Sequence, residues 1–143
     1  VMHFLGVLDN KEIESEFILI LQPTNPLREV THFEKALDLM NKKGADCVFT
    51  VNIDRPRLGK LVDGYFQPVL FKFHQQRQQL DEYYNVNGLL YLSRVHALHK
   101  YKSIFGIKRL PLLVDEMYSL TDIDTPLDFQ ITEFLYKKYI SRF

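Results

Sequence analysis

The chain has 143 residues, 46% hydrophobic and 25% charged, the size and make-up of one globular domain that buries its own core. Lysine plus arginine and aspartate plus glutamate number 18 each, so no overall field draws the molecule to nucleic acid or to an acidic membrane, and any anion must be bound locally. No apolar stretch reaches membrane-spanning length, the amino end lacks a signal-peptide pattern, and Cys47 has no partner for an internal disulfide; these features predict a cytoplasmic protein.

Residues Val1 to Leu8 read as the end of a helix preceding a strand. Phe17 to Leu21 form an unbroken apolar run, as expected of a strand covered on both faces in a parallel sheet. Two prolines in Gln22-Pro23-Thr24-Asn25-Pro26-Leu27-Arg28 stop both strand and helix, which predicts a shaped loop at the strand's carboxyl end. Thr31 with Glu34 makes a capping box for a one-sided helix carrying Phe33, Ala36, Leu37 and Met40 and stopping near Gly44. A second strand, Cys47 to Val51, follows, and strand, helix, strand is the unit of a doubly wound α/β sheet whose ligands lie beyond the strands' carboxyl ends.

From about residue 54 to 82 the character changes. Leu61-Val62-Asp63-Gly64-Tyr65-Phe66 carries a hairpin signal, and Val69, Leu70, Phe71 and Phe73 add more apolar surface than a peripheral hairpin buries alone. This segment is either an arm that packs against a second subunit or a cover for the chain's own sheet. Beyond it come a strand over Gly88 to Leu92, a helix from Arg94 to Tyr101, an apolar run from Leu110 to Val114, and a helix from Pro126 to about Ile140 with Leu127, Ile131, Phe134 and Leu135 on one face.

The segment Asp122-Ile123-Asp124-Thr125-Pro126-Leu127-Asp128-Phe129 places two carboxylates two residues apart, so that on an extended backbone they share a face. Thr125 suits an N-cap, Pro126 the first helical position and Asp128 the reciprocal capping carboxylate. Magnesium is commonly held by one or two carboxylates with water and substrate phosphate, which fits the pair; a solvated acidic turn that only caps is the other reading. Arg77 with Gln78 offers a fork for a carboxylate and an amide for hydroxyls, although a glutamine-rich run is also an ordinary surface. Gln22 and Arg28 can touch a ligand or merely tie their own loop. His96 and His99 lack a third metal ligand at suitable spacing, and no Ser-His-Asp or Cys-His signature supports a nucleophile.

Taken in order, Leu21-Gln22-Pro23-Thr24-Asn25-Pro26-Leu27-Arg28, Arg77-Gln78-Gln79, Asn87-Gly88-Leu89-Leu90-Tyr91-Leu92 and the Asp122 to Phe129 segment resemble the acylneuraminate cytidylyltransferases, the CMP-sialic acid synthetases. The resemblance spans nearly the whole chain. It implies a single Rossmann-like α/β domain over 1–143, with a mostly parallel sheet, helices on both faces and a protruding hairpin dimerisation arm over 54–82. It further implies a homodimer that transfers CMP from CTP to a nine-carbon 2-keto sugar acid and releases pyrophosphate. Asp122 and Asp124 match the family's magnesium-binding aspartates, and Arg77 an arginine of the sugar-acid pocket. Gln22, Arg28, Gln78, Asn87 and Tyr91 fall on pocket positions, Phe105 matches an apolar wall, and Lys60, with Arg57 as its competitor, a substrate lysine of the arm.

The family opens with a strand and a glycine- and basic-residue-rich loop that cradles the triphosphate. Here the glycines stand at 6, 44, 59, 64, 88 and 106, with no such cluster. The expectation is therefore a domain incomplete at its amino end, a fragment inactive by itself. Two other expectations stay open: a non-catalytic sugar-acid-binding or dimerisation module without the CTP site, and a 3-deoxy-octulosonate cytidylyltransferase.

Overall fold

The apolar run at Phe17 forms strand β1 (Phe17–Ile20), and after the proline loop come α1 (Val30–Lys43), β2 (Cys47–Asp54), β3 (Gly59–Val62), β4 (Tyr65–Pro68), β5 (Tyr83–Arg94), α2 (Val95–Tyr101), β6 (Arg109–Leu113) and α3 (Pro126–Leu135). This computed structural model describes residues 14–140 with His3, Gly6 and Val7, all three helical; the rest of the helix end expected over Val1 to Leu8 lies outside the described residues.

The four-stranded sheet has the order β1-β5-β2-β6. Strand β5 runs antiparallel to both β1 and β2, and only β2 and β6 are parallel, so the expectation of a mostly parallel sheet is corrected to a mostly antiparallel one. The reason is burial. Leu89, Leu90 and Leu92 are at most 2% exposed, and a central strand covered on both faces shows the same continuous apolar run whichever way its neighbours point. The register pairs Ile20 with Tyr91 and Asp54 with Tyr83, so β1 lies along the carboxyl half of β5 and β2 ends at its amino end.

One face of the sheet is covered by α1, whose Ala36 and Met40 are fully buried against Val48, Leu90 and Leu92. Each large apolar side chain so buried contributes roughly 1.5–3 kcal/mol. The alternate residues Phe49, Tyr91 and Ser93 face the other way. There Phe105 packs edge-on against Phe49 and Tyr91 at 5.7 and 5.9 Å, and the Ser93 hydroxyl donates to the Ile104 carbonyl at 2.6 Å.

Helix α1 starts at Val30 with Glu29 as N-cap, which corrects the Thr31–Glu34 capping box. The imidazole Nδ1 of His32 accepts the Glu29 amide at 3.1 Å. A tertiary contact favours this start: the Tyr118 hydroxyl donates to Glu29 and its ring meets His32 edge-on at 4.6 Å.

Strands β3 and β4 form a separate hairpin whose turn residues Asp63 and Gly64 both have positive φ, 51° and 82°, as a two-residue I′ turn requires. Leu61 and Tyr65 are each 77% exposed. Phe66, Phe71 and Phe73 cluster at its base. Helix α3 has the expected Thr125 cap, but it gives way to a π turn over Tyr136–Ile140 instead of running to Ile140. Its apolar face is open: Leu127 and Phe134 are exposed, and Thr132 is the buried residue.

Candidate active site at the carboxyl ends of the strands

Three segments distant in sequence meet where β1 and β2 end. Asn25 is fully buried in the proline loop; its Nδ2 donates to the Asn87 carbonyl at 2.8 Å, and its Oδ1 accepts from the Thr121 hydroxyl at 2.9 Å. The Ile123 amide donates to the Thr24 carbonyl at 2.8 Å. The loop after β1, the bend in β5 and the approach to α3 are thereby joined.

Arg28 serves this loop. Its Nε donates to the Asn25 carbonyl at 3.1 Å, and its Nη2 donates to the carbonyls of Gln22 and Asn25. Gln22 reaches across the bend: a Cβ added at Gly88, where φ is +73°, would stand 2.0 Å from Gln22 Oε1. Only a residue without a side chain lets that amide lie there.

Beside these contacts lies a cleft of about 350 Å³ lined by Asn52, Ile53, Asp54, Asn85, Val86, Asn87 and Asp122. Asn87 turns Oδ1 to the Leu89 amide at 3.3 Å, while its buried Nδ2 has no hydrogen-bond partner among the described residues. Asp54 is held in place, its Oδ1 accepting from the Arg55 amide at 2.7 Å and its Oδ2 from Asn85 Nδ2 at 3.1 Å. A second depression of about 250 Å³ shares Ile53 and Asp54 and adds Arg55, Arg77, Leu113 and Val114. Arg77 and Asp122 thus stand on either side of one carboxylate-bearing wall. Burial pushes the Tyr91 phenol up, and the nearby Asp122 charge pushes it further in the same direction.

The acidic segment divides its labour. The Asp128 carboxylate accepts from the Thr125 hydroxyl and amide, both at 2.7 Å, and from the Asp124 amide at 3.2 Å, bonds that hold it below the usual carboxylate range. Capping is therefore carried by Thr125 and Asp128. No described residue hydrogen-bonds the side chains of Asp122 or Asp124, which are exposed. Asp122 lines the cleft; Asp124 is outside its lining. One or two uncommitted carboxylates beside an open cleft suit magnesium, which keeps several waters and takes further oxygens from phosphate. Among the described residues no group of three or more His, Cys, Asp and Glu could form an all-protein cage.

Of the residues singled out from sequence, Asn87 and Asp122 line the cleft and Arg77 lines the adjoining depression; Gln22 lies against Gly88, and Tyr91 packs on Phe105. Lys60 stands exposed on the hairpin, Arg57 donates to the Gln75 carbonyl at 2.6 Å, and Gln78 is exposed and lines neither depression. Asn25, Asn52, Asp54, Asn85 and Thr121 were not among the sequence candidates. The one available signal was a polar pair, Asn52 and Asp54, closing an otherwise apolar strand at the end where α/β proteins bind ligands.

Such a cleft, with exposed carboxylates and an arginine beside it, lies at the strand ends, where α/β folds commonly place their ligand sites. Sequence comparison places the chain more narrowly: it is a distant homologue of the cytidylyltransferases of CMP-sugar-acid synthesis. It is 26% identical over 137 residues, 93% of its length, to the CMP-N,N'-diacetyllegionaminic acid synthase of Legionella pneumophila, and 30% identical over 124 residues, 81% of its length, to the N-acylneuraminate cytidylyltransferase of Escherichia coli. The chain spans 59% of the first relative and 29% of the second. No family model matches it. Among the described residues no helix is long and apolar enough to cross a membrane.

Proposed function

We propose that this chain forms the sugar-acid side of a magnesium-dependent cytidylyltransferase, working as a cytoplasmic homodimer. The observation that carries the reading is Asp122, hydrogen-bonded by no described residue and lining a polar cleft with Asn87, which the Arg77 depression adjoins. In the reaction the C2 hydroxyl of a nine-carbon 2-keto sugar acid forms a bond to the α-phosphorus of CTP. The bond from that phosphorus to the oxygen bridging to the β-phosphate breaks, pyrophosphate leaves with the electron pair, and the hydroxyl proton is released. Magnesium held by Asp122 and Asp124 would neutralise charge on the α-phosphate and the leaving group.

The chain's own groups place the acid. Arg77 pairs with the substrate carboxylate through its planar fork, with Gln78 beside it. The Asn87 Nδ2 and the Gln22 amide take hydroxyl or carbonyl oxygens, while Tyr91, backed by Phe105, gives the apolar wall. Such phosphoryl transfer asks for placement and positive charge and needs no protein nucleophile. The hairpin over 54–82, with Leu61, Tyr65 and Phe66 exposed and Lys60 beside them, docks on a second copy and brings Lys60 or Arg57 to the partner's cleft.

The test is pyrophosphate release by the complete polypeptide with CTP, magnesium and neuraminic, legionaminic, pseudaminic or 3-deoxy-octulosonic acid. Release with a nine-carbon acid, lost in Asp122→Asn, is the expected result. Binding of the sugar acid by that polypeptide without any turnover would favour the non-catalytic module.

A further inference from the structure

We propose that Asn25 and Thr121 are positioning residues, a buried hydrogen-bonded pair that sets where Asp122 stands in the cleft relative to the Gln22 loop and Asn87. Its effect on turnover rests on the cytidylyltransferase reading; the coupling itself rests on geometry.

The two residues are 96 positions apart and both fully buried, with 2.9 Å between Thr121 Oγ1 and Asn25 Oδ1. The orientation of the Asn25 amide is forced. A backbone carbonyl only accepts, so Nδ2 must face Asn87 and Oδ1 is left for a donor, which the Thr121 hydroxyl supplies. Thr121 shares its one proton between Asn25 Oδ1 and the Tyr118 carbonyl, each at 2.9 Å. On the other side of Asp122, the Ile123 amide is bonded to the Thr24 carbonyl. Asp122 is therefore clamped on both flanks by bonds to the loop that also carries Gln22. Because Asn25 and Thr121 are fully buried, their bond is hard to break without orphaning its partner. Asp124 has no such clamp. Its amide bonds the Asp128 carboxylate of the adjoining helix. The pair thus distinguishes the two aspartates: the fold fixes the first, and the second moves with α3.

Thr121→Val keeps the shape and removes the hydroxyl, whereas Thr121→Ser keeps the hydroxyl. In the complete polypeptide, Thr121→Val should lower kcat about 10-fold and raise the magnesium concentration for half-activation about threefold, leaving KM for the sugar acid within about twofold. Thr121→Ser should restore both. By hydrogen exchange the Ile123 amide should open at least about 10-fold faster in Thr121→Val while the Leu90 and Leu92 amides stay as they were. Should Thr121→Val not fold, Thr121→Ala carries the same measurements. A valine variant with unaltered kcat and magnesium dependence overturns the proposal, as does a loss that serine fails to repair. If the unsubstituted protein releases no pyrophosphate with any acid, the functional reading fails by itself, and the pair is judged on Ile123 exchange alone: unchanged exchange overturns it.

Discussion

Gln22 and Gly88 occupy each other's space: the Gln22 amide oxygen lies where the side chain of any other residue at position 88 would begin. Gly88→Ala must therefore both displace Gln22 and adopt a left-handed backbone that costs roughly 1–2 kcal/mol for a residue with a Cβ. The expected outcome is a lower Tm together with a raised KM for the sugar acid. Gln22→Ala should raise KM by a similar factor with little change in Tm. A Gly88→Ala protein with unaltered KM would show that Gln22 takes no part in binding.

The three aspartates before and within the first turn of α3 have separable duties. Asp122→Asn should reduce kcat on the order of 100-fold or more, with Tm preserved, because its exposed carboxylate is hydrogen-bonded by no described residue. Asp128→Asn should do the reverse, lowering Tm through the loss of the reciprocal cap to Thr125 while turnover per folded molecule stays near normal. Steady-state kinetics and thermal melts on both variants check this, and the same phenotype in both would contradict the division.

Asp46 ties the segment before β6 to β2. Its Oδ2 accepts from the amides of Lys108 and Ile107, each at 2.9 Å, which hold its carboxyl below the usual range. A depressed folded-state value contributes stability that is complete above the unfolded value near about 4 and disappears as pH falls through the folded value. Urea unfolding should accordingly show Asp46→Asn less stable than the parent at pH 7, with the gap closing below about pH 4. A gap of constant size across pH would refute this.

The exposed hairpin makes a concentration-dependent prediction. Leu61→Glu with Tyr65→Lys should convert a dimer to a monomer by light scattering, without altering the far-ultraviolet dichroism of the sheet domain. Turnover should fall with the dimer if Lys60 or Arg57 reaches the partner's cleft. A parent protein that is monomeric at all concentrations would exclude this role for the hairpin.

Burial pushes the Cys47 thiol up, and the residue is fully enclosed between β5 and the segment after α2. A disulfide reagent at pH 8 should leave the native thiol unmodified for hours and label it at once in denaturant. Rapid native labelling would mean that the Ser93 side of the sheet opens.

Much of this fold lies in local chemistry that sequence displays. The proline pair ended β1, Asp63-Gly64 turned the hairpin, and Thr125, Pro126 and Asp128 began α3, because each depends on backbone torsions or capping bonds set by a few adjacent residues. Of the residues the resemblance marked, Asn87 and Asp122 line one cleft, and Gln22 lies against Gly88 beside Asn87. Strand direction was not legible. Leu89 to Leu92 are buried on both faces, and an apolar run says that a strand is central, not which way its neighbours run. The start of α1 escaped for a similar reason, since Tyr118, far along the chain, selects Glu29 and His32 over Thr31 and Glu34. The residues that spacing puts on one face of α3 leave that face open, because burial needs a partner surface as well as a pattern. By itself the sequence determined the hairpin turn, the end of β1 and the cap of α3. Only tertiary structure decided that Asn25 and Thr121 meet, since a hydrogen bond between residues 96 apart exists only once the sheet has brought them within 2.9 Å.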